Sequence, residues 1–378
     1  MRKISISKVF PGMITARTVY SSSGHVLLSK GMSLNPMFIR RLKELGIPAI
    51  YIQEGYLGDR TEVEDVVSEK TRVETQQTVR RIFTEINRNK RVDIGAAKAA
   101  VNNIVDELLR NRRVVLNLTD IRSYDDYIFG HCVNVCILSV MTAITLEYNE
   151  LQLRDLGVGA ILHDIGKLLV SKDILNKPGK LAPAEMDKVK EHSKNGFDIL
   201  REQQELSLLA AHIAFQHHEK VDGTGYPRGL KGGEIHEFSR LAAVADVYDA
   251  LTADRVYRKA FMPHEALKII SEGSGTHFDS EVVRAFMEKV APFPIGTIVA
   301  LNTGEVGVVV DNHRKKPARP VIRLVLGAGN QNVDVLAEVD LLKNTEVEIT
   351  RVLNEDDPLI PAINEMSMRL QDMGKSIV

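Results

Sequence analysis

Five histidines and two aspartates lie in a central region that is otherwise patterned as helices, and they constrain the fold more than any other feature of the chain. They are His131, His163, Asp164, His192, His217, His218 and Asp246. Imidazole and carboxylate groups bind Mn, Fe, Zn and Ni ions, and seven of them are enough for two metals. Two adjacent metals activate water for displacement at phosphorus, so the set predicts a helical metal centre for phosphate ester hydrolysis.

The 378 residues exceed the usual size of one hydrophobic core, so two or three domains are expected. Hydrophobic periodicity predicts a mainly α protein, in which a helical bundle is flanked by a small α+β N-terminal module and a small all-β C-terminal module. The predicted parts are the α+β module at 1–58, a helical connector at 59–119, the helical catalytic domain at 120–291, the β module at 292–353 and a helical tail at 354–378.

Local signals place individual elements within these parts. The predicted strands lie at 18–20, 25–28, 49–52, 299–301, 306–310, 321–326, 333–336 and 347–349, and a helix is predicted at 36–45. Pro183 and Pro263 stand where a first helical turn would begin, and Asp279 is placed to cap a helix that starts near Ser280.

The connector carries apolar residues at heptad-like spacing, at Val79, Ile82, Phe83 and Ile86. Two alternatives remain open for it. It is either a helical segment through which two chains form a homodimer, or a helix pair packed on its own domain.

Charge and cysteine content limit which partners and which cellular compartment are expected. The net charge is -1, from 49 basic and 50 acidic side chains, so bulk binding to a nucleic-acid polymer or to a membrane is not expected. Cys132 and Cys136 lie one helical turn apart and fit buried thiols of a reducing compartment. No apolar stretch of signal-peptide length begins the chain, and the most apolar helix, 132–146, is short for a membrane span. We therefore predict a cytoplasmic protein without a membrane span.

Position along the helices gives some of these side chains more weight. His163 and Asp164 follow the apolar run 156–162, and adjacent ligands at a helix end can reach different ions, with the aspartate as a bridge. Asp246 lies in the apolar helix 241–251, where a carboxylate is costly unless it is paired or coordinated. Asp249, three residues later, is expected to orient a neighbour. The remaining histidines are given no role, and His212 is the least secure of them.

The segment from His217 to Pro227 has the order His-His-Glu-x-x-Asp-Gly-x-Gly-Tyr-Pro, and His163-Asp164-Ile165-Gly166-Lys167 lies upstream. Together these motifs resemble the HD-GYP family of cyclic di-GMP phosphodiesterases, a branch of the HD-domain metal-dependent phosphohydrolases. The resemblance covers residues of about 125 to 290 and is looser outside them. It implies an HD-type helical bundle and cyclic di-GMP as the substrate.

The resemblance also implies roles for particular residues. One metal would be held by His131, His163, Asp164 and Asp246, and the other by Asp164, His192, His217 and His218. Asp164 and Lys167 would be catalytic, with Lys167 facing substrate phosphate. The further substrate contacts would be Tyr226, Arg255 and Arg258, with Gly225 allowing the backbone to approach the ligand.

The chain departs from part of the family at one position. Some members have a glutamate one turn before the first histidine, where it helps to hold a third metal, whereas this chain has Tyr127 with Asp125 and Asp126 just upstream. Two divalent ions per chain are favoured, and the pattern leaves a third open. The donor set suits Fe or Mn, although Zn, Ni or Cu would compete by affinity.

The sequence thus predicts metal-dependent hydrolysis of cyclic di-GMP to a linear dinucleotide or GMP. Two other hypotheses stay open. The protein would be a non-catalytic cyclic di-GMP sensor or adaptor, or an HD phosphohydrolase acting on another cyclic dinucleotide or a guanosine nucleotide. No regulatory protein partner is identified by the sequence.

Overall fold

The computed structural model describes residues 1–21, 24–57, 65–89, 91–112, 114–116, 127–177, 179–253, 260–331 and 337–375. These residues form two compact units. The helical unit takes its residues from the ranges Val66–Val114 and Tyr127–Lys289. The flanking unit takes its residues from Met1–Asp65, Val115–Asp126 and Val290–Val378.

Helices dominate the described residues, as predicted. They are α1 (Pro36–Glu44), α2 (Glu69–Asn89), α3 (Ile94–Arg110), α4 (Tyr127–Thr145), α5 (Glu150–Ile161), α6 (Lys172–Leu175), α7 (Pro183–Arg201), α8 (Leu208–Gln216), α9 (Glu237–Thr252), α10 (Pro263–Glu272), α11 (Ser280–Met287) and α12 (Ile360–Lys375). The strands are β1 (Arg2–Ser5), β2 (Val19–Tyr20), β3 (Val26–Leu28), β4 (Ala49–Ile52), β5 (Ile298–Leu301), β6 (Val306–Asp311), β7 (Val321–Leu326), β8 (Glu338–Asp340) and β9 (Ile349–Val352).

Several helix starts follow directly from the sequence. α7 and α10 begin at Pro183 and Pro263, where proline has no backbone donor to leave unpaired. At the start of α11, Asp279 accepts hydrogen bonds from the backbone N–H groups of Glu281 and Val282. These three predicted starts are confirmed.

α4 is the central helix of the helical unit and packs against α2, α5 and α9. Its segment Ile128–Thr145 has the length and composition of a membrane span, but 72% of that segment is buried inside the protein. The predicted helix, 132–146, is short for a span, whereas the observed helix begins at Tyr127. It is long enough, and its burial in the core accounts for its apolar character on all sides. Both cysteines are buried free thiols on α4, and the cytoplasmic location stays a prediction.

α2 and α3, the helices of the predicted connector, pack on α4 and α5 within the helical unit. Val79, Ile82, Phe83 and Ile86 are buried, and the ring of Phe83 meets that of Phe129 edge-on with 5.8 Å between centroids. The apolar positions that would form a dimer seam are therefore used inside the unit, and dimerisation stays a prediction.

The N-terminal part of the flanking unit is a small α+β arrangement. β1 pairs with β4 and β2 pairs with β3, both antiparallel. α1 closes a core that includes Ile4, Leu28, Leu42 and Ile50. These elements lie where the sequence predicts them, except that β1 was not predicted.

The C-terminal part of the flanking unit is a five-stranded antiparallel sheet in the order β8-β7-β6-β5-β9. Tyr56, from the N-terminal part, packs in one core with Val308 of β6 and Ile363 of α12. Arg2 and Glu54 form a buried ion pair at 2.6 Å, and Ser367 of α12 donates a hydrogen bond to the Glu54 carboxylate. The two ends of the chain thus share one unit. The strand predicted at 333–336 lies outside the described residues.

Candidate metal centre

The seven predicted ligands converge in the interior of the helical unit. They come from three helices and two turns: α4 (His131), the turn after α5 (His163, Asp164), α7 (His192), the turn after α8 (His217, His218) and α9 (Asp246). All are buried except His218, which is half-buried. The ligand atoms of His131, His163 and Asp164 lie within 4.8 Å of one another, as do those of His192, His217 and His218.

Asp164 belongs to the first group but lies between the histidines of the two groups. Its two oxygens face different histidines. Oδ2 is 3.6 Å from Nε2 of His131 and 3.4 Å from Nε2 of His163. Oδ1 is 3.5 Å from Nε2 of His192 and 3.9 Å from Nε2 of His217. A carboxylate in this position can bridge two cations, each with its own pair of imidazoles.

Asp246 also contacts histidines from both groups. Its Oδ1 lies 3.0 Å from Nε2 of His131 and 4.0 Å from Nε2 of His163, while Oδ2 lies 3.8 Å from Nδ1 of His218. The family resemblance implies that Asp246 belongs to the first group alone. The geometry places it close to one histidine of the second group as well.

The histidine rings are oriented by hydrogen bonds on the side away from the cluster. Nδ1–H of His163 donates to the Ala160 carbonyl at 2.7 Å, and Nδ1–H of His192 donates to the Val189 carbonyl at 2.6 Å. His217 does the same toward the carbonyls of residues 213 and 214. Because a carbonyl oxygen only accepts, each Nδ1 carries the proton. This arrangement directs Nε2 at the cluster and is typical of metal-binding histidines.

The electrostatics of the cluster favour metal ligation. Burial lowers the pKa of His192, and lowers that of His217 well below the usual range, so both rings are neutral and have a lone pair available for a metal. Burial likewise brings the pKa of His218 to about 3. Burial disfavours the charged form of Asp164, but the Lys167 ammonium and neighbouring histidines outweigh it and hold the pKa of this carboxyl well below its ordinary value.

His131 differs from the other ligands because it lies between two carboxylates. Its Nδ1 is 2.7 Å from Oδ2 of Asp249. Burial lowers the pKa of His131, but hydrogen bonds with Asp246 and Asp249 outweigh it and raise this pKa to about 9. A cation at Nε2 would compete with a proton on this ring.

Two buried polar atoms test whether a metal fits. Among the described residues, Nε2 of His163 and Oδ1 of Asp164 have no hydrogen-bond partner. Buried polar atoms are nearly always satisfied, and both of these point into the cluster of nitrogen and oxygen donors. The residues present therefore fit divalent transition metals.

Glycine at position 166 brings the ligand-bearing segments together. The 3-10 helix Ile165–Leu169 follows Asp164 directly, and a Cβ on Gly166 would lie 2.0 Å from the carbonyl oxygen of His192 and 2.5 Å from the backbone nitrogen of Gly196. Only glycine permits this approach of the 3-10 helix to α7. The motif His-Asp-Ile-Gly-Lys thus has a packing reason for its fourth residue.

Lys167 lies on the same 3-10 helix, and its Nζ donates a hydrogen bond to Oδ2 of Asp164 at 2.5 Å. Burial favours the neutral amine, but the carboxylates of Asp164 and Asp246 outweigh it and raise the pKa of Lys167. Since 23% of the side chain is still exposed, a cation stands at the edge of the cluster.

Tyr226 also lies beside the cluster. Its ring stacks on that of His218, with 4.7 Å between centroids and 29° between planes, and Nζ of Lys190 lies 5.7 Å from its centroid. Burial and the carboxylates of Asp246 and Asp164 raise the pKa of Tyr226. Its hydroxyl is therefore a neutral hydrogen-bond donor at physiological pH.

Some predicted residues lie outside the described part of the chain. These are Arg255 and Arg258, together with Asp125, Asp126 and the side chain of Tyr127. Their predicted contacts with substrate or with a third metal stay predictions.

Two further residues support the centre without a predicted role as ligands. Asp249 orients His131, as expected, and its other oxygen accepts a hydrogen bond at 2.8 Å from the side-chain amide of Asn134. Asn134 was read only as a polar interruption of the apolar helix. Its position on α4, one turn after His131, was the signal that could have indicated a role beside the histidine.

Comparisons with known proteins identify the class. Residues 106–282 match the family model "HD domain", and residues 298–358 match "KOW domain associated with HD domain". The chain therefore carries an HD domain, followed by a KOW domain of the kind associated with it. The resemblance predicted from the motifs agrees with the HD-domain match and with sequence relatives that are named cyclic di-GMP phosphodiesterases.

Among these relatives, a cyclic di-GMP phosphodiesterase of Pseudomonas aeruginosa is 37% identical over 65% of this chain and 59% of its own length. A 3′3′-cGAMP-specific phosphodiesterase of Vibrio cholerae is 40% identical over 44% of this chain and 36% of its own length. The chain thus spans less than two thirds of either relative. A solved HDG"Y"P protein of Bdellovibrio bacteriovorus superposes with a TM-score of 0.49 and 20% identity, over 75% of this chain and 97% of that one.

Proposed function

We propose that the protein is a metal-dependent phosphodiesterase that hydrolyses cyclic di-GMP to a linear dinucleotide or GMP. One observation carries the proposal: the two oxygens of buried Asp164 face two separate histidine pairs. A two-metal centre suits in-line displacement at phosphorus. The name of the P. aeruginosa relative supports cyclic di-GMP as the substrate.

Two divalent cations, Fe or Mn, would be held by the seven converging residues, with Asp164 shared. When bound, they supply positive charge that activates water and stabilises the charge developing on phosphate oxygens. The neutral rings of His192 and His217 and the ionised carboxylate of Asp164 are in the protonation states that such cations need.

The side chains at the edge of the centre would receive the substrate. The Lys167 ammonium would pair with a nonbridging oxygen of the scissile phosphate, because it is charged and partly exposed beside Asp164. The Tyr226 hydroxyl would donate a hydrogen bond to the substrate, because it is neutral and its ring stacks on His218 beside the proposed cations. Gly225, Arg255 and Arg258 are proposed as substrate contacts on the family resemblance.

We expect Lys167→Ala to reduce kcat/KM by about 10- to 150-fold, the loss of one charge-assisted contact worth about 1.5 to 3 kcal/mol. Its metal content should equal that of the wild type, because removing a cation beside Asp164 leaves this carboxylate free for the metals. Steady-state kinetics and elemental analysis measure the two quantities. Lys172→Ala, an exposed lysine in α6, is the matched control. Loss of metal in Lys167→Ala would contradict its assignment to the substrate.

A second substrate has a specific observation in its favour, because one relative is named a 3′3′-cGAMP-specific phosphodiesterase. Metal-loaded protein incubated with cyclic di-GMP, 3′3′-cGAMP and a cyclic dinucleotide without guanine, followed by chromatography of the products, decides among the hypotheses. We expect cyclic di-GMP to have the highest kcat/KM. A higher kcat/KM for 3′3′-cGAMP would show that 3′3′-cGAMP, and not cyclic di-GMP, is the preferred substrate. Binding of cyclic di-GMP without any turnover would favour the sensor hypothesis.

A further inference from the structure

Glu219 follows the paired histidines His217 and His218, yet it does not face the metal centre. Its side chain is buried, with 3% of the residue exposed. One carboxylate oxygen accepts a hydrogen bond from the backbone N–H of Arg228 at 2.7 Å, and the other accepts from the backbone N–H of Leu230 at 3.0 Å. Because both oxygens are engaged by backbone donors, Glu219 is not placed as a metal ligand.

The segment that Glu219 holds is the loop from Glu219 to Lys231, here called the GYP loop. A backbone bridge between Asp222 and Lys231 closes it. Within the loop, the Tyr226 N–H donates to the His218 carbonyl at 3.2 Å. A Cβ on Gly225 would lie 2.4 Å from the backbone nitrogen of Lys220. The loop thus folds back on the backbone of residues 218–220, which starts at the second of the paired histidines.

Glu219 therefore connects the two ends of the segment that presents Tyr226. The buried carboxylate is anchored beside His218, and its acceptors hold residues 228 and 230, just after Tyr226 and Pro227 in the chain. Charge-assisted hydrogen bonds to backbone N–H groups are short and strong. Losing one of them would loosen the loop on the side of Tyr226 while leaving His192 and His217 on their own backbone anchors.

We propose that Glu219 is a positioning residue, which fixes Tyr226 over His218 and thereby sets the affinity for the cyclic dinucleotide. This inference rests on the proposed phosphodiesterase function. Glu219 acts through Tyr226 and the loop backbone, and contacts neither metal nor substrate.

The test is Glu219→Gln in the full-length, metal-loaded protein. Glutamine keeps the shape of the side chain but replaces one acceptor oxygen by an NH2 group, so one of the two loop N–H groups loses its partner. We expect KM for cyclic di-GMP to rise about tenfold, with kcat within about threefold and metal content unchanged. Glu234→Gln is the matched control, because Glu234 is exposed and accepts one backbone hydrogen bond, from Lys231 at 2.8 Å, in the same region.

Two further measurements separate positioning from general structural support. In a Tyr226→Ala background, Glu219→Gln should have little additional effect on KM, because the residue through which it acts is gone. Amide hydrogen exchange should rise in peptides from 219–231 of Glu219→Gln and stay at the wild-type level in peptides from α4 and α7.

The outcomes distinguish this inference from the function on which it rests. Absence of turnover by the wild-type protein would overturn both. Normal wild-type turnover with an unchanged KM in Glu219→Gln would overturn the positioning role alone. The same holds if Glu219→Gln loses metal or fails to fold, or if its effect adds fully to that of Tyr226→Ala.

Discussion

Asp164→Ala is expected to abolish turnover, with a fall in kcat on the order of 10³ or more, and to lower the metal content. The two oxygens of Asp164 lie 3.4 to 3.9 Å from four imidazole nitrogens of two histidine pairs, whereas Asp246 approaches the second group only at His218. Its removal takes an anionic ligand from both proposed cations at once and leaves their charges facing each other. Both metals are therefore expected to bind more weakly.

Elemental analysis of purified protein measures this directly. We expect two ions per chain in the wild type and fewer than one in Asp164→Ala. Asp187→Ala is a suitable control, because Asp187 is an exposed carboxylate on α7 whose removal changes the net charge equally. A wild-type metal content with near-normal activity in Asp164→Ala would refute the bridging role, and a third full ion in the wild type would refute the count.

The convergence of the seven side chains was predictable from sequence for a physical reason. A buried carboxylate or a cluster of histidines is unfavourable in an apolar helix unless it is paired or coordinated, so residues such as Asp246 and His163 stand out against their neighbours. The motif around Asp164 and the GYP segment then supply the order of the ligands. The starts of α7, α10 and α11 could be predicted because prolines and capping residues are local signals in the sequence.

Asp249 was expected to orient a neighbour, but the partners of the groups that orient the histidines were harder to predict. Asn134 and Asp249 are 115 positions apart, and their hydrogen bond depends on how α4 packs against α9. Glu219 is part of the recognised motif, but the motif does not reveal that its acceptors serve the backbone of residues 228 and 230. Both interactions depend on packing, which local periodicity does not contain.

The sequence did not predict that the two ends of the chain share one hydrophobic core, because this also depends on packing between distant residues. The modules predicted at 1–58 and 292–353 each have a local pattern of strands, and the helical tail at 354–378 has its own. Their shared core requires contacts between Tyr56 and residues about 250 to 300 positions later, such as Val308 and Ile363.

One strand boundary differs from the prediction. The strand predicted at 347–349 is found at Ile349–Val352, where it pairs with β5.

Gly166→Ala is expected to produce the second large effect, although it removes no ligand and no charge. The new methyl group would lie 2.0 Å from the His192 carbonyl oxygen and 2.5 Å from the Gly196 nitrogen. Both obstructing atoms belong to the backbone of α7, so no side chain can rotate away to make room. The 3-10 helix that follows Asp164 must therefore move away from the helix that carries His192.

We expect this separation to lower the free energy of unfolding by about 3 kcal/mol, at the upper end of what overpacking in a core causes. Displacing His192 from Asp164 by about 1 Å should also reduce kcat by roughly 10²-fold and weaken the binding of the cation proposed at Asp164, His192, His217 and His218. Thermal unfolding, elemental analysis and kinetics measure the three effects on one preparation.

Gly95→Ala provides the matched control for this substitution. It makes the same change in the first turn of α3, where the added Cβ would meet nothing closer than Oδ1 of Asp93 at 3.6 Å. There alanine should stabilise the protein by up to about 1 kcal/mol through its better helix propensity and leave metal and turnover unchanged. If Gly166→Ala behaves like Gly95→Ala, the close approach at Gly166 does not hold the two halves of the metal centre together. A selective loss of metal and activity in Gly166→Ala would show that the distance between Asp164 and His192 depends on the lack of a side chain at Gly166.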